Sequence, residues 1–327
     1  MGGAKVKLAA NIAQPGGAAG TLRLSMLGGL TQFGAFLDTL APGAWSSERH
    51  WHDCEDEFLY VLSGTATLHD DDGMQDLGPG DAVCWRHGDP NAHQMINRNA
   101  SPFSFVIVGS RVMGDRCYYP DSGQVQVNSA TGWQVLAANG AAARGGDLPP
   151  ELLNLLPVCG TPFDGAPASR VQRALGRVWV DVVDPPHSVL GSGLGPYRQC
   201  VLGDAGGLSQ FGVHLEGLPS GSRSSFRHWH EAEDEMVLIL AGEVVLIEDS
   251  ESLMHPGDAA CWPAGTPVGH CLENRNAAEA RCLVIGTRKR TDIIHYSDHD
   301  LITHKDGATR RYLHRDGLPY PTGARHD

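Results

Sequence analysis

Apolar residues in this chain fall in short blocks rather than at helical spacing, and the blocks come in pairs. Phe58 to Leu62 and Thr65 to Leu68 are followed by an Asp-rich turn at Asp70 to Gly73. Met236 to Leu240 and Val244 to Ile247, followed by Glu248 to Ser252, repeat the arrangement. Blocks this short, bounded by turn formers, predict strands and hairpins. The segment Gly29-Leu-Thr-Gln-Phe-Gly34 returns as Gly207-Leu-Ser-Gln-Phe-Gly212, an offset of 178, and Pro79-Gly80-Asp81 returns as Pro256-Gly257-Asp258, an offset of 177. One surface hairpin is therefore a residue shorter in the second copy. The offset of 177 then persists through Cys84-Trp85 and Cys261-Trp262, Asn97 and Asn274, Arg111 and Arg288, and Tyr119 and Tyr296.

Regular turns and internal duplication predict an all-β chain of two tandem antiparallel barrels or jelly rolls. The pattern divides into a small-residue lead-in (1–21), a first barrel (22–136), a linker (137–192), and a second barrel with a polar tail (193–327). A few short helices are expected, one of them in the linker. It opens at Asp147 with a proline in its first turn and carries Leu152, Leu153, Leu155 and Leu156. The stretch Ala137 to Gly146 reads as Gly/Ala-rich linker, and Lys305 to Asp327 as a surface wrap.

The 41 glycines and 20 prolines suit this turn-rich picture. A formal charge of −13 argues against a nucleic-acid or anionic-membrane partner, which would need a clustered basic face. The N-terminus lacks a continuous apolar stretch and no window is long enough to span a bilayer, so the expected location is cytoplasmic. The eight cysteines show no CxxC pairing and read as reduced, mostly buried thiols.

The candidate chemistry sits in one word and its echo: Arg49-His50-Trp51-His52-Asp53-Cys54-Glu55-Asp56-Glu57, and Arg227 to Glu235. In a strand, His50 and His52 share a face, as do His228 and His230. With Glu57 or Glu235 just downstream, they form three parts of a site for a borderline divalent metal. His93 and His270, each four residues before an asparagine, follow a Trp-bearing strand that can pair beside the His-x-His strand and complete both quartets. Trp51 and Trp229 alternate away from the histidines and are expected to pack outward. Asp53, Glu55, Asp56 and their counterparts read as a solvated acidic turn, with a supporting role behind the ligands as the alternative. Arg111 and Arg288 stand near strand ends, placed either for a substrate carboxylate or for a salt bridge.

These residues resemble the cupin superfamily. Its first motif, G-x5/6-H-x-H-x3/4-E-x6-G, is met by Gly43, His50, His52, Glu57 and Gly64, and by Gly221, His228, His230, Glu235 and Gly242. Its second motif, G-x5/7-P-x-G-x2-H-x3-N, is met in part by Gly80, His93 and Asn97 and by Gly257, His270 and Asn274. Gly88 and Gly265 take the usual Pro place, and Pro90 and Pro267 the usual Gly place. The resemblance implies a bicupin with one divalent metal inside each barrel, and cupin barrels commonly pair through their sheets, which leaves a homodimer open.

Four protein ligands on an octahedral ion leave two adjacent positions for a small-molecule substrate, with or without O2. Imidazole and carboxylate suit Fe2+, Mn2+, Co2+, Ni2+ or Zn2+, and an oxygenase reading favours Fe2+. Glu57 and Glu235 could also act as bases by leaving the metal. Leu59, Val61 and Met95 in the first barrel, and Val237, Ile239 and Leu272 in the second, are expected to make dry pockets. Such pockets suit an aromatic, enol or diketone substrate. The first expectation is a metal-dependent dioxygenase. The rivals are a non-redox decarboxylase, isomerase or hydrolase, and a non-catalytic metal-dependent binder.

Overall fold

The computed structural model describes residues 4–6, 20–148, 169–184 and 186–321. The helix expected after Asp147 falls on residues outside this set. Among the described residues the α-helical content is one short helix, Leu24–Gly28, and the rest of the regular structure is β apart from a single 3-10 turn.

Each half builds one large sheet. In the first it runs, in spatial order, Val171–Gln172, Ala82–Trp85, Glu57–Ser63, Phe103–Ser110, Phe33–Leu40 and Gly20–Arg23. In the second it runs Ala4–Val6, Ala259–Trp262, Glu235–Ala241, Ala280–Thr287, Phe211–Leu218, Tyr197–Val201 and Val180–Val182. At one edge of each sheet the outermost strand comes from outside that copy. Ala4–Val6, from the lead-in, pairs with the second copy's Ala259–Cys261. Val171–Gln172, from the stretch between the copies, pairs with the first copy's Ala82 and Val83.

The unalternating run Phe58 to Leu62 follows from burial on both faces. Leu59 and Val61 point into the first barrel with Leu68, Met95 and Phe105. Phe58 and Tyr60 point the other way, into a core shared with Phe211, Leu215, Met236 and Leu238 of the second copy. The two large sheets therefore pack back to back. Three-stranded sheets, Ala66–Asp70 with its neighbours and Val244–Ile247 with its neighbours, contribute to each barrel.

Two expectations need correction here. Ala142–Gly146 is a strand in register with Trp133–Leu136: ladder hydrogen bonds need only backbone, so a Gly/Ala composition did not prevent it. Lys305 belongs to the strand Leu301–Asp306 rather than to a surface wrap, and its side chain is mostly covered.

The barrels approach closely at two glycines. A Cβ on Gly28 would lie 2.3 Å from Cys261 Cβ, and one on Gly206 would lie 2.3 Å from Cys84 Cβ. Each cysteine of the repeated Cys-Trp pair thus packs against a glycine of the other barrel. Gly28→Ala should destabilise the fold by about 1–3 kcal/mol through overpacking, read as a lower midpoint in chemical denaturation; an unchanged midpoint would mean the interface relaxes freely.

Candidate metal centre

His50 lies in an isolated bridge with His93, and His228 in one with His270. The neighbouring residues Trp51–His52 pair with Cys117 and Tyr118. This placement brings all four predicted ligands of each copy together. In the first barrel, Glu57 Oε2 lies 2.9 Å from His93 Nε2 and 3.9 Å from His50 Nε2, while Glu57 Oε1 lies 3.9 Å from His52 Nε2. In the second, Glu235 Oε2 lies 2.9 Å from His270 Nε2 and 3.7 Å from His230 Nε2. A ligand atom each of His228, Glu235 and His270 falls within 4.8 Å of the others. Two ligands about 2.1 Å from one ion and at right angles stand about 3 Å apart, so both sets need only small closure to share an ion.

The other ring nitrogens support this fit. His50 Nδ1 bonds Glu48 O at 2.9 Å, His93 Nδ1 bonds Asn91 O at 3.3 Å, and His52 Nδ1 bonds Asp115 Oδ2 at 2.7 Å. In the second copy the acceptors are Phe226 O at 2.8 Å, Val268 O at 3.3 Å and Asp292 Oδ2 at 2.5 Å. Carbonyl and carboxylate acceptors hold the proton on Nδ1 and turn Nε2 to the centre, the arrangement metal-ligating histidines require. The donor set fits a divalent transition ion.

The sequence reading did not pick out Trp85 and Trp262. Trp85 stacks on His93 with ring centroids 3.8 Å apart, and Trp262 on His270 at 3.7 Å. Each strand thus offers its cysteine to the other barrel and its tryptophan to a ligand. Their recurrence as Cys-Trp pairs was the available signal. Trp51 and Trp229 stack away from the centre, on Tyr118 and His295.

The acidic turn is solvated at its exposed residues Asp53 and Glu231 but not throughout. Asp56 and Asp234 are fully buried. Asp234 Oδ2 accepts from the backbone N–H of Thr31 at 2.7 Å and Gln32 at 2.8 Å. Asp56 Oδ2 accepts from Ser209 at 2.7 Å and Gln210 at 2.9 Å. The repeated Gly-Leu-Thr/Ser-Gln loop of each barrel is therefore held by the aspartate beside the other barrel's ligand glutamate. Arg111 Nη1 donates to Leu30 O at 2.8 Å, and Arg288 Nη1 to Leu208 O at 3.3 Å, bracing the same loops. Arg288 also ion-pairs with Asp204. Cys54 departs from the expected set of reduced thiols, being disulfide-bonded; Cys84, Cys117, Cys200, Cys261, Cys271 and Cys282 are free and buried.

The copies differ around Glu55 and Glu233. Glu233 Oε1 accepts from Lys305 Nζ at 2.6 Å. The matching position in the first copy is Asn128, and burial pushes the Glu55 carboxyl up to about 8, with His52 pulling it back. A cavity of about 620 Å³ opens on the first centre; His50, His52, Glu57 and His93 line it with Leu59, Met95 and Arg111. Val61 lies in the same interior core. Val237, Ile239 and Leu272 lie in the core of the second barrel.

Burial, reinforced by the neighbouring histidines, pushes the pKa of His50 and of His228 down to about 4. Both are neutral near pH 7, as ligands must be. Burial also opposes charge on His230, but Glu235 and Asp292 outweigh it and raise the imidazole to about 9. Without a metal, the second centre therefore holds a proton at pH 7 that an ion must displace. Metal uptake there should release about one proton and strengthen about tenfold per pH unit between pH 6 and 9. Calorimetry in buffers of different ionisation enthalpy reads that proton; heats that do not depend on the buffer would refute it.

A family model for the cupin domain matches this chain twice, over residues 36–109 and 214–286. Among solved structures, a sugar phosphate isomerase from a cupin superfamily of Silicibacter pomeroyi DSS-3 is 45% identical, covering 38% of this chain and 81% of its own, with a TM-score of 0.37. Salicylate 1,2-dioxygenase from Pseudoaminobacter salicylatoxidans, solved with gentisate, is 13% identical, covering 84% of this chain and 76% of its own, with a TM-score of 0.52. The second likeness is one of fold across both barrels. No curated protein matches the chain.

Proposed function

The chain belongs to the cupin superfamily as a bicupin, and on that premise we propose that it is a metal-dependent dioxygenase acting on a small metal-chelating aromatic, enol or diketone substrate in its first barrel. The observation that carries this reading is the cavity of about 620 Å³ opening directly on His50, His52, Glu57 and His93. That volume suits a small organic molecule. His50, His52, Glu57 and His93 would hold a divalent ion there, which would supply Lewis acidity toward a chelating substrate and O2.

The chain's own residues set the conditions. Leu59, Met95, Phe105 and Ile107 make the cavity wall beside the ligands apolar, which excludes water and strengthens polar contacts at the centre. Glu57 is held anionic: burial would raise its carboxyl, but His52, His93 and His50 bring it well below the usual carboxylate range. It therefore partly neutralises a divalent ion throughout the physiological pH range. Asp115, fully buried, holds His52 through Nδ1 and the Cys54 backbone N–H through its other oxygen, at 2.9 Å.

A second reading is a non-redox isomerase acting on a polar, phosphorylated substrate. It is favoured by Arg111, Arg144, Gln126 and Asn128, which stand in the wall of the same cavity and could bind hydroxyl and phosphate oxygens. Metal analysis of anaerobically purified protein, followed by O2 uptake with catechols, phenols and β-diketones, separates the two. Bound iron with substrate-dependent O2 consumption supports the dioxygenase. Turnover without O2 consumption sinks it and leaves the isomerase.

A further inference from the structure

A second cavity of about 420 Å³ lies between the two large sheets, and none of the metal-site residues lines it. Its apolar frame follows the duplication, with Leu37 and Leu215, Leu62 and Leu240 coming from matching positions in the two copies. Its polar groups do not. Tyr60 stands where the second copy has Leu238, Arg177 enters from the stretch between the copies, and Arg281 enters from the second copy alone. No aspartate or glutamate lines this cavity among the described residues, in a chain with a formal charge of −13.

Arg177 is anchored through Nη2 to Gly80 O at 2.7 Å and Gln172 O at 3.2 Å. Its Nε is buried and has no acceptor among the described residues. Burial raises the Tyr60 phenol, while Arg177 and Arg281 draw it back, so both cations act on one hydroxyl. A neutral apolar ligand would leave that cationic end without a counter-charge. A polyanion would find too few donors and would place charge against leucines.

We propose that the inter-barrel cavity is a binding site for a small amphipathic monocarboxylate, a medium-chain or aryl acid whose carboxylate lies between Arg177 and Arg281 and whose body lies against the paired leucines. The walls include the strands Glu57–Ser63 and Glu235–Ala241. A ligand there touches both strands that carry a metal-site glutamate.

The test uses the full chain stripped of metal, so that chelation at the barrel centres cannot contribute, with octanoate titrated by calorimetry. Binding near one equivalent is expected. Arg281→Glu should weaken it at least about tenfold by replacing attraction with repulsion. Leu240→Trp should do the same by filling the cavity, and 1-octanol should bind at least about tenfold more weakly than octanoate. Melting curves close to wild type would show that both variants are folded. Failure of octanoate to bind the wild-type chain overturns the proposal. So does equal binding by wild type and both variants, which places the acid elsewhere, or equal binding of the alcohol, which removes the role of the carboxylate.

Discussion

His93→Ala should empty the first barrel of metal and lower turnover by at least about 10³-fold, the scale expected when a metal-assisted reaction loses its ion. His270→Ala should remove the second barrel's metal while leaving turnover within about threefold. His93 makes two contacts that alanine cannot replace. Its Nε2 lies 2.9 Å from Glu57 Oε2 and its ring stacks on Trp85 at 3.8 Å, so the substitution removes a ligand and opens a void beside the remaining three. The second barrel should respond equally in metal content, because His270 makes the same two contacts, with Glu235 Oε2 at 2.9 Å and with the Trp262 ring at 3.7 Å. It should respond less in turnover because the substrate is assigned to the cavity on the first centre. Metal analysis by mass spectrometry and steady-state rates on the two variants read both effects. A rate collapse in His270→Ala with an intact rate in His93→Ala would reverse the assignment. A graded control is Asp115→Ala, which removes a hydrogen-bond partner of His52 and should cost about 10- to 100-fold in first-barrel metal affinity.

The quartets were legible because most of their logic is local. Strand alternation places His50 and His52 together, and the spacing to Glu57 and the downstream histidine repeats so closely that coincidence is excluded. The all-β class was legible for a similar reason: turn formers punctuate almost every block. What escaped lies across long sequence separations or depends on backbone alone. Asp56 and Asp234 looked like part of a solvated acidic run, since nothing nearby announces that Gln210 and Gln32 will donate to them from the opposite barrel. The repeated Gly-Leu-Thr/Ser-Gln loop was visible as a word, but its meaning lies in the interface. Trp85 and Trp262 were seen as markers of register, and only the pairing of their strands beside Glu57 and Glu235 turns them toward the ligand rings. Arg111 was left between a substrate carboxylate and a salt bridge; it braces the Leu30 carbonyl and stands in the cavity wall.

Asp56→Ala should destabilise the protein by about 3–5 kcal/mol, the largest stability effect expected of any single substitution here, because it removes a buried charged acceptor and leaves its donors unpaired. Five donors depend on that carboxylate: the backbone N–H groups of Ser209 and Gln210, the Ser209 hydroxyl at 3.4 Å, and the backbone N–H and Nδ1 of His87 at 2.8 and 2.6 Å. Three come from the opposite barrel, so the loss should loosen the interface as well as the first barrel. Asp56→Asn keeps the shape and two of the acceptor sites and should cost less, about 1–2 kcal/mol. Asp121→Ala, which removes an exposed partner of Arg49, should cost no more than about 1 kcal/mol. Urea denaturation of the three variants gives the ranking directly. The pH dependence checks the cause. Burial would raise the Asp56 carboxyl, but the His87 side chain and the backbone donors outweigh it and hold its pKa below the ordinary aspartate value. A group depressed in the folded state contributes stability above its unfolded pKa of about 3.9 and loses it as pH falls through the folded value. The gap between wild type and Asp56→Ala should therefore be constant from pH 5 to pH 7 and narrow below about pH 4. A gap that instead widens on acidification would mean that the carboxylate is not what joins the two barrels.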